Sequence, residues 1–250
     1  MKHKAFVRHV HNGNCAVLFI HGFLGSPNHF SKFLETVPDS VAVYNVLLEG
    51  HGGTVSDFSA ASMKKWKNQT ERIADELCDK YKNLLVVAHS MGTFFAMEAA
   101  IKHPDKISGI MLLQTPLVVG IKPVAVKYSI KSLFGLVGED DEVGKAYMNA
   151  HGVSLNLKLW QYLGWIPRYT ELLRESHAAR KRIASVEVPV FIFQSKKDEL
   201  VSSKTLKHIP KKDNIKVCTL TKSAHFIYDK TDFSSMLETF LHLLETMQKQ

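Results

Sequence analysis

A serine lies where a strand pattern runs directly into a helical one, in Val86-Val87-Ala88-His89-Ser90-Met91-Gly92. This is the setting of a nucleophile elbow, a tight turn that holds a serine hydroxyl above the edge of a sheet. Such a turn requires small residues two positions before and two after the serine, and they are Ala88 and Gly92. The N-terminus of the following helix favours negative charge at the same place. We therefore predict that Ser90 is a nucleophile; the alternative is a serine that N-caps an ordinary strand-to-helix turn.

A serine hydroxyl needs a base to take its proton, and the base needs an acid to orient it. The chain has 13 histidines, so most of them must be bystanders. His225 follows a late strand pattern and precedes the last helix, which makes it the predicted base rather than a surface loop residue. Asp198 also follows a strand pattern and is the predicted acid. Glu199, one residue away, is its rival, and Asp213 is a weaker one because it precedes a strand.

A second strand ends in a sharp turn at His21-Gly22. We predict that the backbone amides of Phe23 and Met91 point together at the oxygen on which negative charge develops. Removing one such donor typically costs ~2.7–4 kcal/mol in an acyl-transfer transition state. The alternative is a plain strand-to-helix turn, and His21 itself is expected to be structural rather than a proton carrier.

The elements that must position these residues can be read from apolar spacing. Seven short apolar runs predict strands at 5–9, 15–20, 41–46, 84–88, 107–113, 189–194 and 215–220. Helical spacing predicts helices at about 62–81, at 94–101 and in the last 20 residues, and the Asn12-Gly13 pair is a hairpin turn signal between the first two strands. Alternation of strands and helices predicts a mostly parallel sheet flanked by helices, with its ligand site beyond the carboxyl ends of the strands.

The alternation stops between 117 and 188, where the sequence indicates several helices and no clear strand. We predict two parts: an α/β core formed by 1–116 and 189–250, and an inserted helical cap, 117–188. Apolar residues such as Val119, Trp160 and Leu163 would give the cap a face that suits an acyl chain.

Composition excludes several other classes of protein. Hydrophobic residues at 45% and charged residues at 22% are ordinary globular values, and three cysteines without a C-x-x-C pair indicate neither a disulfide scaffold nor a zinc site. No apolar run is long enough to span a membrane, and the first residues do not form a signal peptide, so we expect a cytoplasmic protein without stable membrane insertion. The net charge of +8 is scattered, which favours solubility over nucleic-acid binding.

These residues resemble the α/β-hydrolase superfamily, and within it the small bacterial carboxylesterases and monoacylglycerol lipases. The matching segments are His21-Gly22-Phe23, Leu48-Glu49-Gly50-His51-Gly52, Ala88-His89-Ser90-Met91-Gly92, Asp198-Glu199-Leu200-Val201 and Ala224-His225-Phe226. The resemblance implies the α/β-hydrolase fold with its cap inserted after the sixth core strand. It also implies a carboxylic ester hydrolase with nucleophile Ser90, acid Asp198, base His225 and an oxyanion hole from Phe23 and Met91, without a metal or other cofactor.

The chain departs from the family pattern at Ala88, Thr93 and Ser195, where glycine is common, and at Glu49, where proline is common. None of these changes removes a chemical group that the mechanism needs. We therefore expect hydrolysis of a small-molecule ester of short to medium acyl length, with a monoacylglycerol as one candidate, through an acyl-enzyme. The alternatives are another reaction on the same triad, such as thioester, C–C bond or aminopeptide hydrolysis, and a ligand-binding module without catalysis.

Overall fold

The computed structural model describes residues 3–134 and 136–250. All seven predicted strands are present. They are β1 (Phe6–Arg8), β2 (Cys15–Ile20), β3 (Ala42–Asn45), β4 (Asn83–His89), β5 (Ile107–Leu113), β6 (Val190–Ser195) and β7 (Ile215–Leu220).

The strands form one sheet in the order β1-β3-β2-β4-β5-β6-β7, and every neighbouring pair is parallel except β1 with β3. Strands β2 and β4 lie inside the sheet and are buried along their whole length, as their unbroken apolar sequences predict. Because the strands from β2 to β7 run the same way, their carboxyl ends lie along one edge of the sheet.

The hairpin predicted between the first two strands is wrong. The chain does turn at Asn12, with φ of 57°, but β1 then pairs antiparallel with β3 and not with β2. Both sides of β2 are occupied by the parallel partners β3 and β4, which leaves β1 the outer side of β3.

The sheet is covered by helices on both faces. They are α1 (Ser31–Leu34), α2 (Val55–Ala60), α3 (Met63–Lys80), α4 (Gly92–Lys102), α5 (Pro123–Leu133), α6 (Glu142–Ala150), α7 (Trp165–Arg182) and α8 (Lys230–Lys249). The helices predicted around 62–81, around 94–101 and at the end of the chain correspond to α3, α4 and α8. Short 3₁₀ turns lie at Pro27–Phe30, Leu159–Gly164, Ile183–Ser185 and Ser203–His208.

Two apolar clusters form the core, one on each face of the sheet. Alternate residues of β2 point to opposite faces: Leu18 packs in the cluster beneath α2, α3, α4 and α7, and Phe19 packs in the cluster beneath α1 and α8. Each face of the sheet is therefore sealed by apolar side chains, and polar residues at the carboxyl ends of the strands are left to form a site.

The stretch from 117 to 188 contains α5, α6 and α7 and, apart from residue 135, which lies outside the described residues, no strand. It follows β5 and precedes β6, so the insertion comes after the fifth strand of this chain and not after a sixth. The predicted sixth strand is a position in the family pattern, and in this chain five strands precede the stretch. The stretch is tied to the core by backbone hydrogen bonds, for example from Gly120 N to Leu200 O at 2.9 Å and from Lys122 N to Glu199 O at 2.8 Å.

Within 3–134 and 136–250, none of the helices combines the length and the apolar character that crossing a bilayer requires.

Candidate active site

Ser90 lies in the turn between β4 and α4 with φ of 52°, a left-handed conformation that is uncommon for a residue with a side chain. Two glycines allow this turn. A Cβ on Gly22 would lie 2.6 Å from the Ser90 Cβ, and one on Gly92 would lie 2.7 Å from the carbonyl oxygen of His21. The turn is thus held by close backbone packing, and strained conformations of this kind concentrate at functional sites.

Asp198 and His225 form a buried pair at the carboxyl ends of β6 and β7. The Nδ1 of His225 lies 2.8 Å from Oδ2 of Asp198 and 3.0 Å from its Oδ1, and both side chains are almost fully buried. Oδ1 of Asp198 also accepts the backbone N–H groups of Leu200 and Val201 at 2.8 and 2.7 Å. Because a carboxylate only accepts, Nδ1 carries the proton, and Nε2 is left as the acceptor nitrogen.

The two rival acids lie elsewhere. Glu199 is also buried, but its Oε2 accepts the backbone N–H of His225 at 3.0 Å and does not pair with the ring. Its Oε1 accepts the hydroxyl of Tyr147. Asp213 is exposed in the turn before β7, at the opposite end of the strands.

The two predicted oxyanion donors lie near Ser90: Phe23 lines the same cavity as Ser90, and Met91 directly follows Ser90 in the chain. Phe23 follows Gly22, whose backbone packs on Ser90, and Met91 immediately precedes α4. Neither amide donates a hydrogen bond to another residue in the described part of the chain. The role of both amides as oxyanion donors therefore stays a prediction.

His21 bonds to the turn that follows β2 and packs against Ser90. Its Nδ1–H donates to Gly22 O at 3.0 Å, and its Nε2 accepts the Leu48 amide at 3.1 Å. Full burial lowers the pKa of His21 to about 4, so the ring is neutral near pH 7. These contacts are those of a structural residue.

Ser90 and His225 line one cavity of about 540 Å³. Most of its other lining residues are apolar or aromatic, and they are Phe23, Leu24, Pro116, Val119, Ile121, Ala125, Val126, Tyr147, His151, Tyr169, Leu172, Leu173, Leu200, Val201 and Phe226. No hydrogen bond joins the Ser90 hydroxyl to the His225 ring within the part of the chain that is described; such bonds are often loose without substrate and tighten in the reacting complex.

Comparison with known proteins agrees with this architecture. A family model for the alpha/beta hydrolase fold matches residues 16–135. A solved structure from a study of two metagenome-derived lipolytic enzymes, LipS and LipT, superposes with a TM-score of 0.72 at 20% identity, covering 98% of each chain. The chain has the α/β-hydrolase fold.

Two monoacylglycerol lipases are among the proteins that this chain resembles. The thermostable monoacylglycerol lipase of Bacillus sp. (strain H-257) is 24% identical over 197 residues, which cover 76% of this chain and 73% of that protein. The solved monoacylglycerol lipase of Paleococcus ferrophilus has a TM-score of 0.67 at 15% identity and covers 98% of this chain and 100% of its own. At such identities the solved structures establish the fold alone.

Sequence reasoning missed several residues that hold the loop carrying His225. Gln114, directly after β5, accepts Ser195 N at 2.8 Å through its side-chain oxygen and donates to Ala224 O at 3.3 Å. The rule that selected Ser90 and Asp198, a polar residue after a buried strand, also finds Gln114. The contact of Tyr147 with Glu199 carries no comparable signal, because Tyr147 lies within a helix 52 residues away.

Two histidines, His89 buried and His29 partly buried, pack behind the loop that carries His225. His89 donates through Nε2 to the carbonyl of His225 at 3.1 Å, and its ring packs 3.8 Å from that of His29. Burial lowers the pKa of His29 to about 3 and that of His89 well below its usual value, so both rings are neutral near pH 7. They therefore act as polar packing that fixes the loop.

Proposed function

We propose that this α/β-hydrolase is a serine hydrolase that cleaves carboxylic esters of short to medium acyl length. The observation that carries the proposal is that Ser90, in a strained turn, and His225, paired with Asp198, lie on the wall of one apolar cavity. The similarity to proteins named monoacylglycerol lipases supports a monoacylglycerol as one substrate.

In the proposed mechanism, Nε2 of His225 takes the proton of the Ser90 hydroxyl as its oxygen attacks the ester carbonyl. The carbonyl oxygen becomes negatively charged and is stabilised by the amides of Phe23 and Met91. His225 then gives the proton to the leaving alcohol, and an acyl-Ser90 remains. Water, deprotonated by the same histidine, releases the acid. Asp198 fixes the tautomer of His225 and stabilises its charged form.

The cavity supports the choice of substrate. A site of about 540 Å³ lies within the range of small-molecule pockets, and its apolar lining suits a hydrocarbon chain. Much of that lining, including Val119, Val126 and Leu173, belongs to the stretch 117–188. We propose that this stretch is a cap that shapes the acyl pocket.

A cytoplasmic location is part of the proposal. It is supported by Cys15, Cys78 and Cys218, each of which is a free thiol. Proteins of oxidising compartments more often pair their cysteines.

The test is a series of p-nitrophenyl esters from acetyl to dodecanoyl, hydrolysed by the wild type and by Ser90→Ala. We expect a rate that peaks at one chain length and falls by about 10⁴-fold or more in the variant, because the nucleophile is lost while binding groups remain. Labelling by a fluorophosphonate, present in the wild type and absent in Ser90→Ala, distinguishes an enzyme from a binding module. A folded wild type that hydrolyses no ester and takes no label contradicts the proposal; labelling without ester turnover favours another reaction on the same residues.

A further inference from the structure

Glu199 is a second buried carboxylate beside the proposed acid, and the proposed mechanism does not use it. It is 4% exposed, and its two oxygens have different partners. Oε2 accepts the backbone N–H of His225 at 3.0 Å, and Oε1 accepts the hydroxyl of Tyr147. A carboxylate buried in this way is stable only while its oxygens keep their donors.

The donor Tyr147 comes from outside the core. It lies on α6, is 5% exposed and forms part of the cavity wall. Its ring stacks on Tyr128 at 5.1 Å and meets Phe226, the neighbour of His225, edge to face at 5.2 Å. Burial and the adjacent Glu199 raise the pKa of Tyr147, so its hydroxyl keeps the proton that it donates.

His225 is fixed at three points. Asp198 holds ring atom Nδ1, Glu199 holds the backbone N–H, and His89 holds the backbone carbonyl. The direction of Nε2 depends on the backbone as much as on the ring, because the ring rotates about bonds that begin at the Cα. Of the three anchors, Glu199 is the one that bonds to a described side chain of the stretch 117–188.

The main chain strengthens the same connection. The carbonyl oxygen of Glu199 accepts Lys122 N at 2.8 Å, just before α5. Glu199 therefore contacts the proposed cap through both its backbone and its side chain, while its second carboxylate oxygen holds His225.

We propose that Glu199 is a positioning residue for His225, and that Tyr147 acts through Glu199 so that alignment of the base depends on how α6 is seated. This inference rests on the proposed function, since it takes His225 as the base. Glu199 touches no reacting atom; its effect is on the placement of Nε2 relative to Ser90. In this proposal, a substrate in the cavity contacts the ring of Tyr147, which is linked to His225 through Glu199.

The experiment compares Tyr147→Phe, Glu199→Leu and Glu199→Gln on p-nitrophenyl acetate, a substrate too short to fill the cavity. Active sites are titrated with a fluorophosphonate, so that kcat refers to intact sites. We expect kcat to fall about tenfold in Tyr147→Phe and about 100-fold in Glu199→Leu, with KM within about twofold, because misplacing a catalytic group acts on the chemical step. Glu199→Gln keeps an oxygen for the His225 amide and restores kcat to within about threefold of the wild type.

Two controls separate positioning from a general loss of structure. Tyr128→Phe removes a hydroxyl from the ring stacked on Tyr147 without touching the bond to Glu199, and it should leave kcat within about twofold. Adding Tyr147→Phe to Glu199→Leu should cause no further loss, because both changes break one connection. Far-ultraviolet circular dichroism establishes whether each variant is folded. If Glu199→Leu is not folded, the comparison of kcat between Tyr147→Phe and Tyr128→Phe tests the proposal by itself.

The outcomes distinguish this inference from the proposed function. If the wild type is active, Ser90→Ala is inactive, and Tyr147→Phe has the kcat of the wild type, the positioning role is overturned and the proposed function stands. A rise in KM of about tenfold in Tyr147→Phe, without a fall in kcat, also overturns the positioning role. That result would mean that Tyr147 only binds substrate. A folded wild type without ester turnover overturns the proposed function and this inference with it.

Discussion

Trp66 and Trp160 are the same residue type in two parts of this protein, yet Trp66 is fully buried under the sheet and Trp160 is 67% exposed. The contrast is general. Among the described residues, the large apolar side chains left exposed lie mostly between 117 and 188, and those outside that stretch are Phe6, Val7, Ile101, Val217 and Leu241. The core uses its apolar residues for packing, whereas the proposed cap divides its own among the core cluster, the cavity and the surface.

This difference shows where stability and where selectivity are encoded. Packing density in the core makes each large side chain necessary, because its removal leaves a cavity. Apolar residues of the proposed cap that face water or the cavity contribute less to folding. Changes there are expected to alter which ester reacts before they alter whether the chain folds.

The largest effect on folding should come from the tryptophan pair. Trp66→Ala removes a fully buried ring and its hydrogen bond from Nε1 to Glu49 O, and should lower the free energy of unfolding by about 3–5 kcal/mol. Trp160→Ala should change it by less than about 0.5 kcal/mol. Urea unfolding of both variants measures the difference. Equal losses of unfolding free energy in the two variants would show that the Trp160 ring contributes to packing as much as Trp66 does. The contrast between the core and the proposed cap would then be wrong.

Acid should destabilise the core through its buried histidines. The folded pKa of His21, about 4, lies below its ordinary value of 6.5. Below pH 6.5 the unfolded chain therefore binds a proton that the folded chain does not, and stability is lost as the pH falls from 6.5 towards 4. His21 alone accounts for about 3 kcal/mol between pH 7 and pH 4.

Urea unfolding at the two pH values, in the wild type, His21→Asn and His177→Gln, tests the role of His21 in this loss. The loss of stability in acid should shrink in His21→Asn, and it should be unchanged in His177→Gln, where an exposed histidine of α7 is removed. The same acid loss in His21→Asn as in the wild type would contradict the assignment.

The smallest effect should be a change in selectivity for acyl length, caused by a substitution in one wall of the cavity. Val126 and Val124 both lie on α5, but Val126 lines the cavity and Val124 does not. Val126→Trp should lower kcat/KM for a decanoyl ester about tenfold relative to an acetyl ester, because the ring occupies room for the chain. Val124→Trp serves as the matched control with an unchanged ratio. A constant ratio in both variants would place the acyl chain elsewhere.

The strands were predictable because short, continuous apolar runs are typical of strands that a parallel sheet buries on both faces. The strand that pairs with β1 was not predictable, because a turn at Asn12 indicates a change of chain direction but not which strand lies beside β1. Helix α2 was missed because it is only six residues long, although the capping box of Thr54 with Asp57 marks its start.

In the candidate site, too, some features could be predicted from the sequence and others could not. Ser90, Asp198 and His225 could be chosen from sequence because each follows a strand, and strand ends meet at one edge. That rule placed Glu199 beside Asp198 without saying which carboxylate faces the ring. The choice is made by backbone geometry: the amides of Leu200 and Val201 turn Asp198 towards the ring of His225.

The pairing of β1 with β3 also determines how one chain meets another. An unpaired sheet edge is a template for strands of neighbouring molecules and a starting point for aggregation. Here the first edge is only three residues long and ends at Arg8, whose side chain bonds to Asp39. The opposite edge, β7, carries the exposed Lys216. Short length at one side and charge at both oppose the growth of an intermolecular sheet, even in crowded solution.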